Sequence, residues 1–434
     1  METTSHPTDD AINASANESK ADKRTVPLIR LLPGLVIGPA SWLGPYIASS
    51  SLFLPAMIAS LDEDNKISLV ALFASAAMIV AAISNMAAGA LSDRTRTRWG
   101  RRTPWILLGG FGFMLTMFGA AASPSIPVLF AAWLLGQVAL NFIVAPMVAW
   151  IDIAPEGGGA TASSVYGGLG MALGNNGFNI IAATLLGQFR MGFAIFGTVT
   201  FVGTLIAVLI VREPSNLDEV FSSDAKVKKE KVSLRSLKTV FPAWHIGRDY
   251  YLALMGKIFQ GVGNFAVMGY LLYIMTDFMG YSTEGAQSPI QLINGIMLCF
   301  SVAMGFIAGP LSDRLNLLKW PVASAALLVG VGALGMYVLG PNGGIVAFGV
   351  CAGLGMGMWN SLDNYLNLQV IPDKSRVGFF LGVYNLGNTL TQAIAPVLAS
   401  VVIGLFGFSA VFILSIISSV IGFLLITMIR SVTR

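Results

Sequence analysis

Charge is what this sequence has least of. Only 11% of its 434 residues are Asp, Glu, Lys or Arg, whereas an ordinary soluble domain carries about a quarter. A water-facing globule of this size could not cover its surface with so few charges. Histidine and cysteine are scarcer still, at two residues each. His6 stands in a polar tail and His245 in a linker, so neither suggests a metal site. Cys299 and Cys351 fall inside apolar runs, where packing is the simplest reading and no disulfide framework is implied. A phosphate-binding loop is missing, since "GKI" at 256–258 lacks both the upstream glycine and the following Ser or Thr. His-Glu-x-x-His and Gly-x-Ser-x-Gly are missing too. No enzymatic activity, cofactor or metal is expected. The first 26 residues, "METTSHPTDDAINASANESKADKRTV", have no signal-peptide apolar stretch and read as a disordered cytoplasmic tail.

What the chain has instead is apolar length. A membrane-crossing helix needs about 20 mostly apolar residues. Twelve such runs lie between polar breaks, at 31–60, 67–91, 103–123, 126–151, 161–187, 190–211, 249–279, 288–311, 320–340, 343–368, 378–404 and 407–430. Runs 1 and 7 are long for one span, so a tilt or an interfacial end is expected. Barrel strands alternate and never give such runs. The expectation is an all-α membrane protein of twelve transmembrane helices.

The basic residues orient it. With the N-terminus inside, 23 of the 26 Lys and Arg fall on the cytoplasmic side, as the positive-inside rule requires. Lys66 and Arg190 lie outside, and Lys257 lies within run 7. Both termini are therefore expected in the cytoplasm, in a multi-pass inner-membrane protein. The net charge of +4 reports topology, and no nucleic acid is expected as a partner. The stretch "KVKKEKVSLRSLK" (226–238) reads as a basic linker near anionic lipid.

The chain also repeats itself. "AGALSDR" (88–94) returns as "AGPLSDR" (308–314). Further on, Pro155 matches Pro372, and Val165-Tyr166 matches Val383-Tyr384. Offsets of 217 to 220 at separate places argue for a duplicated six-helix half. The expected units are the tail 1–26, a first half 27–211, a cytoplasmic linker 212–248, a second half 249–430 and a short tail 431–434.

The loop "GALSDRTRTRWGRRTPWI" (89–106) resembles the helix 2–3 signature of the major facilitator superfamily. More narrowly, it and "DIAPEGGGATASSVYGG" resemble the glycoside–pentoside–hexuronide cation symporters and the sucrose transporters. The likeness runs along essentially the whole chain. It implies two six-helix bundles about a pseudo-two-fold axis normal to the membrane, working by alternating access as a monomer. It implies uptake of a sugar or glycoside, coupled to a proton or sodium ion. It also implies a gating latch at Asp93 with Arg94, Arg98, Arg101 and Arg102, echoed by Asp313 and Arg314. Run 4 lacks the arginine that many relatives offer the latch acid, and Arg376 is a candidate replacement. Positive-inside topology accounts for part of the same charge.

In this superfamily helices 1, 4, 7 and 10 line the cavity. Here each carries polar or aromatic groups at helical spacing. Run 1 has Trp42 and Tyr46, a candidate plate for the C–H face of a sugar. Run 4 has Gln137 and Asn141, run 7 Gln260 and Asn264, and run 10 Asn360, Asp363, Asn364 and Asn367. Asn176, Asn294 and Asn388 extend the candidate binding set onto neighbouring runs. An amide facing lipid leaves its groups unpaired at several kcal/mol, so these must face protein or water. Any single one is also explained as interhelical glue. Lys257 and Asp363 lie about 12 Å in from the same face, at 1.5 Å per residue. A lone charge there costs about 2.5–3.5 kcal/mol or more, so they are expected to pair, as a coupling switch or a static tether. Run 2 has Asn85 but no internal acid, and run 1 has none, so the relatives' sodium route is missing. A proton on Asp363 and facilitated diffusion stay open. An exporter of amphipathic compounds and a transporter-like sensor are the rival readings.

Overall fold

A computed structural model describes residues 25–156, 158, 161–162, 165–171, 173–217, 244–372 and 377–432. Its elements are helical throughout. α1 runs Leu28–Leu61, passing through a π-helical turn at Ser49–Phe53. Three internal prolines, Pro33, Pro39 and Pro45, interrupt its hydrogen-bond ladder, the usual cause of such a bend. There follow α2 (Lys66–Arg94), α3 (Thr103–Ala121), α4 (Ile126–Val148), α5 (Phe178–Ala183) and α6 (Phe189–Val211). The later elements are α7 (Trp244–Met268), α8 (Gln287–Leu315), α9 (Lys319–Val338), α10 (Gly340–Val370), α11 (Val377–Phe406) and α12 (Ser409–Thr427).

Among the described residues, ten helices are long and apolar enough to cross a membrane. α7 makes an eleventh if its continuation Leu271–Phe278, bent by 49°, is counted with it. Run 5 departs from expectation. In place of one straight helix it gives wide turns at Val165–Gly170 and Leu173–Gly177 before the short α5. The sequence "GGLGMALGNNG" explains this, because each glycine raises the cost of regular helix and lets the backbone widen.

The packing repeats with the sequence. α3 packs on α4 and α6, and α9 on α10 and α12; α1 packs on α6, and α7 on α12; α2 packs on α4, and α8 on α10. α1 lies against the α5 region, and α7 against α11. Contacts across the duplication are made by α2 with α11 and by α8 with the α5 region. Glycine permits the closest approaches. A Cβ on Gly109 would sit 2.7 Å from the Ala139 carbonyl oxygen, and one on Gly357 2.5 Å from that of Ser301, so both helix pairs depend on the missing side chain.

The crossing contacts gather toward one end. Lys66 Nζ lies 2.6 Å from Asp277 Oδ2 and 2.6 Å from Glu63 Oε1, and 4.9 Å from the Tyr273 ring centroid. The Tyr273 hydroxyl donates to Pro55 O at 2.8 Å. The Tyr270 hydroxyl lies 2.9 Å from Pro396 O and 3.1 Å from Ile67 O. Deeper, Ser75 Oγ donates to Ala393 O at 2.8 Å, and Gln291 Nε2 to Ile180 O at 3.2 Å.

Candidate functional site

The second half holds a buried charge cluster. α7 and α10 touch, which brings Lys257 Nζ within 2.6 Å of Asp363 Oδ2. The two side chains are 3% and 7% exposed, so neither charge has water to fall back on. The hydroxyl of Tyr384, on α11, donates to the other carboxylate oxygen, Oδ1. Lys257 Nζ also lies 4.1 Å from the Tyr384 ring centroid, a cation–π distance. Tyr250 backs the cluster, with its ring 6.4 Å from that of Tyr384 and its hydroxyl donating to Phe380 O at 2.7 Å. Breaking such a pair from one side costs about 3–5 kcal/mol, because the surviving charge is stranded.

The first half has no matching charge. It has aromatic rings and amides. Tyr46 stacks on Trp133 at 6.0 Å with 21° between the planes, and its hydroxyl lies beside Gln137. Trp42 is buried, with Tyr166 alongside. Three donor groups here make no hydrogen bond of good geometry, Trp42 Nε1, Gln137 Nε2 and the Tyr166 hydroxyl, although Trp42 and Tyr166 face each other and Gln137 faces the Tyr46 hydroxyl. Buried polar atoms of this kind call for an explanation, since nearly all such groups are paired. In the second half Asn264 Oδ1 and both amide atoms of Asn367 are in the same state.

The remaining candidates divide. Asn141 spends its amide on protein, accepting from Asn85 Nδ2 at 3.0 Å and donating to Gln137 O at 2.8 Å. Asn294 accepts from Asn179 Nδ2 at 3.2 Å across the α5–α8 contact, the glue role. Gln260 is buried, with Nε2 3.3 Å from Met356 Sδ. Asn360 and Asn388 are exposed, so the run 10 polar face is not uniformly buried: a 3.6-residue turn fans positions 360 to 367 across more than one environment. The side chains of Asn176 and Asn364 lie outside the described residues.

At the basic face, Arg102 Nη1 is 3.5 Å from Asp93 Oδ1, and its Nη2 is 4.0 Å from Asp152 Oδ2. Burial lowers the Arg102 guanidinium, against the pull of Asp93 and Glu213. Arg98 lies over the Trp99 ring at 5.4 Å, Arg94 closes α2, and Arg314 closes α8. Arg376 and the Asp313 side chain lie outside the described residues. Sequence reading missed the group that organises this loop. Glu213 accepts the N–H groups of Arg101 and Thr103 at 3.1 and 2.8 Å and the Thr103 hydroxyl at 2.9 Å. It thereby caps the N-terminus of α3, where a negative charge is favoured. Asn216 adds two more ties, accepting from Thr97 N at 2.9 Å and donating to Thr95 O at 2.8 Å. Both residues sit in what composition alone marks as linker. Tyr384 was missed as well, although the Val-Tyr repeat flagged its position.

The comparisons agree with this picture at the level of fold. Two solved structures, covered almost end to end, stand out. A peptide transporter POT, crystallised as a mutant, superposes with a TM-score of 0.67 at 14% identity, over 91% of this chain and 93% of that one. A POT family transporter in complex with 5-aminolevulinic acid gives 0.66 at 13% identity, over 93% and 96%. At such identity the likeness is one of fold alone. A search of curated proteins finds no match. The sequence profile of the Major Facilitator Superfamily matches residues 44–376 and again 254–434. With that coverage, and with repeated helix packing beneath it, the chain belongs to the major facilitator superfamily of membrane transporters.

Proposed function

We propose that this transporter sits in the inner membrane with twelve spans and both termini in the cytoplasm, and takes up a sugar or glycoside, coupled to a proton or sodium ion, by alternating access between two six-helix bundles. The broken segment around α5 supplies the twelfth span. The observation that carries the cargo reading is a first-half cluster: three buried, neutral donors without well-formed hydrogen bonds, beside a stacked Tyr46–Trp133 pair. Hydroxyl and ring oxygens of a sugar would accept from Trp42, Gln137 and Tyr166, while an aromatic face takes the C–H side of the ring.

Alternating access has its own support. Contacts between the halves concentrate at the end carrying Lys66 and Asp277. At the basic end the bonds found among the described residues stay within a half: Arg102 to Asp93, Glu213 to Thr103, and Asp249 to the Ser431 N–H. This is the arrangement of a carrier shut outside and parted inside. In this reading Asp93 and the arginines of loop 94–102 close the inner side in the other state, with Arg376 as the partner that replaces the missing run 4 arginine and Asp313 and Arg314 as the weaker counterpart. Asp363 is the coupling group. A proton arriving there neutralises it, frees Lys257 and loosens α7 from α10.

Counterflow of labelled solutes in proteoliposomes tests the reading. Exchange of at least one sugar or glycoside is expected, faster with an inward proton or sodium gradient. The similar structures are of peptide transporters, so di- and tripeptides belong in the same assay. Exchange of peptides with no sugar exchange would overturn the cargo assignment.

A further inference from the structure

A second concavity lies away from the amides, at the basic end of the second half. It is a groove of about 240 Å³ between α8, α9 and α10, with Met304, Leu311 and Leu315 on one wall and Trp320, Ser324 and Met358 on the other. Its lining is almost wholly apolar. Its two hydroxyls are already spent, Ser312 Oγ on Leu317 O and Ser324 Oγ on Trp320 O at 2.6 Å. A polar solute would find nothing to bond to.

The repeat differs near this corner, although the residue that changes, Val322, is fully buried and does not itself line the groove. In the first half the Trp105 indole lies here. Its Nε1 donates to Thr95 Oγ1 at 2.7 Å, and its ring lies 5.3 Å from Phe142. Thr95 matches Leu315, on the groove wall, at the offset of the Ser-Asp-Arg repeat. Pro104 matches Pro321 at the shorter offset that holds downstream. Trp105 therefore corresponds to Val322. The second half has an isopropyl group where the first half has an indole.

We propose that the groove holds an acyl chain of an anionic phospholipid from the surrounding bilayer. Charge at the mouth decides the headgroup. Of the charged residues in the α8–α9 turn, Asp313, Arg314 and Lys319, two are cations, and Arg314 is exposed. Lys319 Nζ lies 5.7 Å from the Trp320 ring and reaches Ile429 O at 3.3 Å. An indole 49% exposed with Lys319 over its ring, in a turn that also carries Arg314, is the combination that meets the headgroup layer, and basic pockets between spanning helices select anionic lipid.

The test is native mass spectrometry of the full-length protein, delipidated in detergent and then offered phosphatidylglycerol or phosphatidylcholine with the same chains. The wild type is expected to retain phosphatidylglycerol at least fivefold better. Ser324→Trp, which fills the groove from a half-buried position, is expected to cut that retention at least fivefold with no fall in melting temperature. The double variant Arg314→Gln, Lys319→Gln is expected to bind the two lipids alike. If Ser324→Trp proves unstable, Ala308→Leu narrows the groove from the opposite wall and carries the same expectation. Equal retention of both lipids by the wild type would overturn the assignment, as would undiminished retention in the filled variant.

Discussion

The two halves of this molecule share a scaffold and almost none of its polar chemistry. α3–α4–α6 and α9–α10–α12 pack alike, yet the same joint is made with opposite sign. In the first half the carboxylate of Glu213, just past α6, receives N–H groups at the start of α3. In the second, the ammonium of Lys319, at the start of α9, donates to Ile429 O just past α12. The bundle interiors diverge further. The repeat offsets place Pro39, Pro146 and Tyr166 where the second half has Lys257, Asp363 and Tyr384. Apolar packing tolerates duplication, because its contacts are many, weak and interchangeable. Buried polar groups do not, because each needs a specific partner. In the proposed reading the halves have divided the labour, with neutral donors for cargo in the first and a charge switch in the second.

The largest expected effect breaks that division at its charged side. Lys257→Ala or Asp363→Asn strands its partner and should cost about 3–5 kcal/mol of stability. Transport by each single variant should be lost. The double variant should melt nearer the wild type than either single one, because no charge is left unpaired. If it also transports no better than the singles, while the fold is restored, the pair serves the transport step itself and not only tethering. If the double melts lower than both singles, the pair is not an energetic unit.

A smaller effect sharpens the comparison, through two tyrosines at matching places in the repeat. The Tyr384 hydroxyl is engaged by a carboxylate, and a hydrogen bond to a charged group contributes about 1.5–3 kcal/mol. The Tyr166 hydroxyl is buried with no well-formed hydrogen bond and only the Trp42 indole beside it. Tyr384→Phe should therefore lower the melting temperature measurably. Tyr166→Phe should leave it level or raise it, while weakening sugar binding in a thermal-shift titration. Equal destabilisation by both would mean that the Tyr166 hydroxyl is satisfied, and the ligand reading of the first-half donors would fall.

Much of this could be read from the sequence, for reasons that also explain what could not. The spans were legible because lipid forbids unpaired polar groups over about 20 residues. The Lys257–Asp363 contact was legible because a lone charge at that depth needs a counter-charge. The broken stretch before α5 was not, since apolarity is blind to backbone shape and only the glycines hinted at it. Glu213 and Asn216 were lost for a different reason. A polar run after a helix looks like linker, and nothing local says that its first residues fold back onto a loop more than a hundred positions earlier. Lys66 was readable as an outer-face charge, but its pairing with Asp277 depends on how the halves meet. The polar and aromatic groups of runs 1, 4, 7 and 10 were visible as a set, while the division between Asn141, bonded at both ends of its amide, and Gln137, whose Nε2 finds no well-formed bond, is set by neighbours that no spacing rule supplies.

The smallest expected effect concerns the joint itself. Burial is the dominant influence on Glu213 and raises its carboxyl above the usual range, against the opposing pull of the Thr103 and Arg102 groups. A carboxyl raised in the folded state binds its proton more tightly there than in the unfolded chain. Its favourable contribution is therefore complete below the ordinary glutamate value, about 4.3, and is lost as pH rises through the raised folded value. Melting temperature in detergent should fall across that window. Glu213→Gln removes the titration and should flatten the slope there, at the cost of a weaker cap on α3. The second half offers the control. Its matching joint uses the Lys319 ammonium and no carboxylate, so Lys319→Gln should leave the slope as it is. If Glu213→Gln keeps the full slope, the proton is bound elsewhere, and the opposite polarity of the two joints has no bearing on how the protein responds to acid.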